Sequence, residues 1–544
     1  WPMDAVAKNA STSQYGNIVA LDESPLAEGL LWAGTDDGLV QVTEDGGATW
    51  RRIEKLPGVP DLTYVNDLVA SAHDRNTVYA AFNNHKRGDF KPYVLKSADL
   101  GRTWAPIASD LPARGSVYAL AEDHVREDLL FAGTEFGLFA TLDGGKSWKK
   151  LGSGLPTVAV RDIDIQKRES DLVLATFGRG FYVLDDYSPL RGVTPEALAA
   201  DARLFPVKKA WMFVERTPLG GLGSKDKGFQ GESYFTAPNP PVAAVFTYHL
   251  KDAPKTLAEQ RKEEEAALVK AGKPVPYPSY ERLKAERAEE PPVLLFTVAD
   301  EDGQAVRVLR EPARKGLHRA AWDLKYPALE PTAPAQAAPA ASGPSGPLVI
   351  PGTYKVSLAL SHGGTTRELA GPVPFEVEAL AAVSLPAADR TELAAFQRKV
   401  RRLANSVGAA SAALRQLGDQ AKHYRAALKS VTAPHADVLD SIRAIEAKVE
   451  DLQLKMSGDR LLARLDKDAF PGIAERVMTV VYEQSTSTSA PTKTQRDACA
   501  VAEEEFGPVH AEIRRILAED VKAVEKRLDE VGAPYTPGRL PGWK

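Results

Sequence analysis

Thr43-Glu44-Asp45-Gly46-Gly47-Ala48-Thr49-Trp50 is the stretch on which the fold turns. It returns as Ser97-Ala98-Asp99-Leu100-Gly101-Arg102-Thr103-Trp104 and as Thr141-Leu142-Asp143-Gly144-Gly145-Lys146-Ser147-Trp148. Each copy carries a hydroxyl residue, an aspartate, a glycine, a second hydroxyl residue and a tryptophan at the same offsets. An aspartate in such a turn accepts bonds from backbone N–H groups. A glycine supplies a positive φ at no steric cost. The tryptophan offers a large apolar body to a neighbouring sheet. The copies recur at roughly 50-residue intervals, the length of a four-stranded propeller blade. Asp45, Gly47, Trp50, Asp99, Gly101, Trp104, Asp143, Gly145 and Trp148 are therefore assigned a structural role in hairpin turns.

A second repeat lies upstream of the first. Leu31-Trp32-Ala33-Gly34-Thr35-Asp36-Asp37-Gly38-Leu39 matches Leu130-Phe131-Ala132-Gly133-Thr134-Glu135-Phe136-Gly137-Leu138, with a looser copy at Val173–Phe181. Apolar residues alternating around a glycine turn mark a hairpin. Units fall at 17–56, 66–112, 117–156 and 160–190, each with strands A to D running outward from the axis. The fourth unit lacks the octapeptide.

The octapeptides resemble the Asp boxes of bacterial-neuraminidase (BNR) repeats, and the units are similar to those of sortilin-like propellers. Gly133-Thr134-Glu135-Phe136-Gly137-Leu138-Phe139 and Gly178-Arg179-Gly180-Phe181-Tyr182-Val183-Leu184-Asp185-Asp186 resemble a family of large exported bacterial proteins. Members of that family are often labelled glycosyl hydrolases. The resemblance implies a periplasmic, secreted or cell-surface protein. It also implies six or more blades, whereas four units leave the ring open, and an open ring leaves sheet edges unprotected. The expectation is that the missing blades come from an upstream part of the same protein or from another chain, with a homo-oligomer as the alternative. Trp1-Pro2-Met3 reads as neither an initiator nor a signal peptide, in keeping with a native chain that starts earlier.

Strand order decides which loops share a face. The boxes are C–D turns. The B–C turns lie on the opposite face with the D–A connections. The B–C turns carry Asp36 and Asp37, then an extended loop from Asn83 to Pro92 with Asn84, His85, Arg87 and Asp89, then Glu135, then Arg179. Asn83, Asn84, His85, Arg87 and Arg179 are candidate ligand-binding residues. Asp36, Asp37, Asp89 and Glu135 are the candidate carboxylates, since glycoside hydrolysis needs two, one acid and one base or nucleophile. A sialidase would carry an arginine triad. Arg179 is the one natural candidate for it, and no Phe-Arg-Ile-Pro segment occurs.

Beyond 190 the blade pattern stops. Residues 191–380 read as an Ig-like β-sandwich with a helical insertion at 254–290 and a flexible Ala/Pro-rich loop at 327–348. The phrases Gly316-Leu317-His318, Trp322-Asp323 and Pro351-Gly352-Thr353-Tyr354 resemble Ig-like accessory modules of bacterial secreted proteins. Pro218–Lys225 is glycine-rich but lacks the residue order of a phosphate-binding loop. From 386 to 544 the period becomes helical. Leu393, Phe396, Val400, Leu403 and Val407 open a long seam. Ile442, Ile445, Val449, Leu452 and Met456 repeat its 3,4 spacing, as in an antiparallel coiled-coil hairpin. A last helix, from about Thr494 to Val531, is expected to break or kink at Gly507-Pro508 and to bury Ile513, Leu517, Val521, Val524 and Leu528. The fold class is thus multidomain, mainly β and then α: a partial β-propeller, a sandwich and a helical bundle.

Composition narrows the function. Of 544 residues, 44% are hydrophobic and the net charge is −5, which excludes wholesale disorder and a global basic footprint for nucleic acid. No apolar run is long enough for a transmembrane helix. The single cysteine excludes an internal disulfide and a cysteine-built zinc site. No HExxH, GxSxG, Walker or dinucleotide motif occurs, and no cofactor or metal is expected. The leading expectation is an exported, non-enzymatic, sortilin-like scaffold that binds a protein, peptide or glycan. The alternatives are a glycoside hydrolase and a structural subunit of a surface assembly.

Overall fold

The computed structural model describes residues 16–152, 154–213, 237–327, 345–380, 387–465, 467–485, 487 and 489–540. The chain splits into two compact units, Trp1–Pro206 and Val207–Lys544. The expectations for Trp1-Pro2-Met3 and for the glycine-rich 218–225 fall outside the described residues.

The first unit holds a run of antiparallel sheets in chain order. Blade 1 comprises β1 (Ile18–Glu23), β2 (Leu31–Thr35), β3 (Val40–Thr43) and β4 (Arg51–Ile53). Blade 2 comprises β5 (Tyr64–Ala70), β6 (Val78–Asn84), β7 (Asp89–Ser97) and β8 (Ala105–Pro106). Blade 3 comprises β9 (Val117–Glu122), β10 (Leu130–Thr134), β11 (Gly137–Thr141) and β12 (Lys149–Leu151). Blade 4 has three strands, β13 (Val160–Gln166), β14 (Asp171–Thr176) and β15 (Phe181–Leu184). A short helix α1 (Pro195–Ala199) and a strand β16 (Ala202–Leu204) follow.

The three boxes share one bonding scheme. Asp45 accepts from Thr43 Oγ1 (2.7 Å), Thr49 N (2.9 Å) and Thr49 Oγ1 (2.6 Å), while Gly47 N donates to Thr43 Oγ1 (2.9 Å). Asp99 repeats this with Ser97 and Thr103, and Asp143 with Thr141 and Ser147. Bonds from Thr49 and Thr103 hold the Asp45 and Asp99 carboxyls down at about 2.

The tryptophans differ from one another, against the expectation of three buried rings. Trp148 is buried and donates from Nε1 to Ile107 O of blade 2 at 2.8 Å. Trp104 is half-buried, edge-on to Trp32 of blade 1 at 6.5 Å. Trp50 is 42% exposed. A box tryptophan thus covers the preceding blade, and none precedes blade 1 among the described residues. The glycines follow the same rule. A Cβ on Gly145 would sit 2.7 Å from Ile107 Cβ, and one on Gly101 2.8 Å from Ile53 Cδ1, whereas Gly47 faces only its own Trp50.

Side chains also tie blade to blade. Asp22 accepts from Ala70 N and Asp67 from Leu120 N, each at 2.7 Å. After blade 4 the chain turns back onto blade 3. There Arg191 donates to the fully buried Asp123 from Nη2 (2.7 Å) and Nε (3.0 Å), and the Tyr187 hydroxyl donates to it at 2.7 Å.

The second unit carries a five-stranded sheet ordered β17-β25-β24-β19-β20, from β17 (Ala210–Met212), β19 (Val293–Ala299), β20 (Ala305–Pro312), β24 (Gly352–His362) and β25 (Thr365–Ala379). Across from it, β18 (Ala244–Leu250) pairs antiparallel with β21 (Gly316–Trp322). Phe246 and Trp322 from that pair meet Phe296, Tyr354 and Phe375 at ring separations of 5.4–6.2 Å, an aromatic core between two sheet layers. The expected helices in the 254–290 stretch are α2 (Leu257–Lys270), closed by a Thr256/Glu259 capping box, and α3 (Tyr280–Ala288), capped by Ser279. Part of the loop expected at 327–348 is ordered pairing, because β22 (Lys325–Pro327) is bonded to β23 (Ser345–Leu348).

The helical part begins with α4 (Arg390–Leu428), whose N-terminus is capped by Asp389, and α5 (Ala436–Ser457). Then come α6 (Arg460–Arg464), α7 (Ile473–Ser485), α8 (Lys493–Arg515) and α9 (Val521–Glu530). The α5 seam is buried throughout, and Cys499 is packed beside Val400 and Val480. Two expectations fail in the last helix. It continues through Gly507-Pro508, and the disturbance comes later, as a π-helical turn at Ile516–Asp520. The wider turn shifts the phase of the seam. Ile516 becomes fully buried and Leu517 is left 42% exposed. No helix among the described residues is long and apolar enough to cross a membrane.

Candidate functional site

The inner strands of all four blades share one irregularity. Each begins with a β-bulge, between Ile18 and Ala20, Val65 and Asp67, Val117 and Ala119, and Val160 and Asp162. The extra residues are Val19, Asn66, Tyr118 and Arg161. A bulge leaves a residue unpaired and re-aims its side chain. Three of the four carry polar groups, and these meet. Asn66 Nδ2 donates to Tyr118 O, and Arg161 lies over the Tyr118 ring at 3.9 Å.

Beside them is a cavity of about 560 Å³ on the B–C face, lined by His85, Phe90, Arg114, Tyr118, Glu135, Phe136, Ala159, Arg161 and Phe177. That volume suits a small ligand or one or two residues of a peptide. A polar chain supports its floor. The Tyr118 hydroxyl donates to Glu135, Asn83 Nδ2 to Asn66 Oδ1, and His85 Nδ1 meets Asn83 Oδ1. Because Asn83 spends its amide on Asn66, its oxygen is the acceptor, and His85 Nδ1 carries the proton in that bond. Burial and the Glu135 carboxylate push the Tyr118 hydroxyl up to about 12, so it remains a donor at neutral pH. The walls are aromatic: Phe90 and Phe136 are each 41% exposed and Phe177 is 74% exposed.

Among the candidate carboxylates, Glu135 alone lines this cavity. Asp36 accepts from Gly16 N (2.7 Å), Asn17 N (3.0 Å) and Asn17 Nδ2 (2.9 Å), closing the start of blade 1. Asp37 is buried and accepts from Thr35 Oγ1. Asp89 accepts from the Tyr93 hydroxyl (2.6 Å) and Lys91 N (3.2 Å). These bonds outweigh its burial and hold its carboxyl below the ordinary value. The loop expected from Asn83 to Pro92 is much shorter, since β6 runs to Asn84, β7 starts at Asp89, and a single 3₁₀ turn (His85–Arg87) joins them. Arg87 donates to Asp61 O at 3.0 Å, and Arg179 is exposed and outside the cavity lining.

The residues that sequence reasoning missed are Asn66, Arg114, Tyr118, Arg161 and the three phenylalanines. The bulges were not legible as spacing. The only trace was polar or bulky residues near the starts of otherwise apolar inner strands. Among the described residues no cluster of His, Cys, Asp and Glu could hold a metal ion.

A search of protein-family models and a search of curated proteins each find no match. Among solved structures, the chain is similar to YCF48 bound to D1 peptide, at 18% identity over 31% of this chain and 51% of that one, with a TM-score of 0.25. YCF48 from Cyanidioschyzon merolae matches at 17% identity over 31% and 52%, TM-score 0.24. The β-propeller domain of Myceliophteria thermophila Cps50 (Swd1) matches at 16% identity over 31% and 51%, TM-score 0.24. The chain thus spans about half the length of these structures. Its propeller assignment rests on its own chain-order run of antiparallel sheets and on the three boxes.

Proposed function

We propose that the protein is a non-enzymatic propeller scaffold whose B–C face binds an extended peptide. The carrying observation is that consecutive inner strands bulge at the same position and deliver Tyr118 and Arg161 to one aromatic-walled cavity, with Asn66 of the preceding bulge bonded to Tyr118 O behind them. Rigid strands hold this surface, as a binding platform requires. The glycoside-hydrolase reading is the weaker one, because a single carboxylate, Glu135, lines the cavity, and it already accepts from Tyr118. The test is an immobilised hexapeptide array run beside a glycan array. Peptide spots retained by the wild type and lost with Phe136→Ser support the reading. Release of sugar from the glycan array, abolished by Glu135→Gln, would replace it with the hydrolase.

The reading includes export from the cytoplasm, as the sortilin-like resemblance implies, which fractionation of source cells tests. It also includes a further four-stranded blade packed on the outer face of blade 1, supported by the exposed Trp50 where Trp148 is covered. A Trp50→Cys thiol should react slowly with maleimide in the native assembly and quickly in the chain alone, the native Cys499 being buried. Equally fast reaction in both would remove the extra blade.

A further inference from the structure

Gln397 and Arg401 stand four residues apart on α4, so both side chains leave the same face of the helix. With Val400, with Val481 and Gln484 of α7 and with Pro347 of β23, they line a small cavity where the helices meet the β22–β23 ribbon. Three polar atoms of that lining are buried and have no hydrogen-bond partner among the described residues: Gln397 Oε1, Arg401 Nη1 and Gln484 Oε1. The two glutamines are 5% and 3% exposed. Polar atoms left unmet in an interior are costly, and a charged group more so.

The orientation of Gln484 is fixed from outside the cavity. Gln495 closes the capping box of α8, its Oε1 accepting from Thr492 N at 3.0 Å. The same oxygen accepts from Gln484 Nε2 at 2.8 Å. A flipped Gln484 amide would set oxygen against oxygen there, so Gln484 Oε1 is left to the cavity. Arg401 is held from its other side, where its guanidinium lies over the Tyr326 ring of β22 at 4.5 Å.

One donor and two acceptors thus border a space that leaves about 10 Å³ for the centre of a water molecule, which is the room for one water. A cation would be repelled by the guanidinium, and an anion would meet two carbonyl oxygens. A water accepts one bond and donates two at once. We propose that this cavity is a binding site for a single water molecule, which accepts from Arg401 Nη1 and donates to Gln397 Oε1 and Gln484 Oε1. The water joins α4 to α7 and, through the guanidinium stacked on Tyr326, joins both helices to the ribbon of the sandwich.

A high-resolution crystal structure of the full chain tests the site directly. One density peak of a single oxygen, roughly 2.7–3.2 Å from each of the three atoms, is the expected result. A direct bond from Arg401 to either glutamine, with no peak between them, would overturn the site. A peak too heavy for oxygen would overturn the assignment to water. In solution, water-oxygen relaxation dispersion counts long-lived internal waters. The double variant Gln397→Leu, Gln484→Leu leaves the water a single partner where it needs at least two, so the count should fall by one while circular dichroism stays at wild type. An unchanged count in the folded variant would also overturn the proposal. If that variant does not fold, the density at the three wild-type atoms decides alone.

Discussion

The Arg161 guanidinium lies 3.9 Å from the centre of the Tyr118 ring, although the two residues belong to different blades. Both occupy the bulged position of an inner strand. The same structural defect, repeated from blade to blade, therefore builds the floor of the cavity. Removing the ring would release Arg161, while removing only its hydroxyl would release Glu135.

Tyr118→Phe separates these effects. The ring is buried and its hydroxyl donates to the Glu135 carboxylate. Loss of one such bond, with the acceptor still able to reach water, should destabilise the first unit by about 1–2 kcal/mol. Tyr118→Ala should cost more, about 3–5 kcal/mol, because it also leaves a cavity. Urea titrations followed by tryptophan fluorescence would measure both. Equal losses would mean that the ring contributes nothing beyond its hydroxyl.

Asp123 joins the return segment after blade 4 to blade 3. Burial alone would raise its carboxyl, but bonds from Arg191 and Tyr187 outweigh burial and hold it below the ordinary value. Asp123→Asn leaves Arg191 without its partner and should cost about 3–5 kcal/mol at neutral pH. Because the folded-state value is depressed, the stabilisation is complete above about pH 4 and is lost as pH falls through the folded value. The gap between wild type and variant should therefore close in acid. A gap that stays constant from neutral pH down to acid unfolding would contradict the ionised pairing.

Asp67 has the opposite sign. Burial, with a smaller contribution from Asp162 and Asp22, pushes its carboxyl up from 3.8 to about 7. The folded state then binds a proton more tightly than the unfolded chain. Stability should decline as pH rises from about 4 to about 7 and level off beyond. Asp67→Asn should flatten that part of the profile. Melting temperatures across pH 4–8 for both proteins supply the comparison, and parallel profiles would rule out Asp67 as the source.

The blade interfaces leave no room for a side chain at Gly133 or Gly145. A Cβ on Gly133 would lie 2.8 Å from Val160 O, and one on Gly145 would lie 3.0 Å from Ile107 O at a φ of +94°. Gly133→Ala and Gly145→Ala should each destabilise by roughly 2–3 kcal/mol, from overpacking and, at Gly145, backbone strain as well. Gly47→Ala shares the positive φ but meets no neighbouring blade. It should cost less than Gly145→Ala in the same denaturation assay.

The chain's local order was legible without coordinates because it is short-range and periodic. The box aspartates bond to residues within four positions of themselves, so eight residues are enough to specify the turn. The 3,4 spacing of Ile442, Ile445, Val449, Leu452 and Met456 likewise defines a buried helix face by itself. What depends on a second segment was not legible. Trp50, Trp104 and Trp148 sit in one motif, yet their burial is decided by whether a blade stands before them. Leu517 fits the helical period and is exposed because one π-helical turn rephases the seam. Asp36, Asp37 and Asp89 had the chemistry of a site, but Asp37 and Asp89 were taken up by local bonds and Asp36 by Gly16 and Asn17 at the start of blade 1. Asn66, Tyr118 and Arg161 came together only because inner strands bulge and stand side by side. A bulge changes where a side chain points without altering the pattern of residue types, so only tertiary pairing could reveal it.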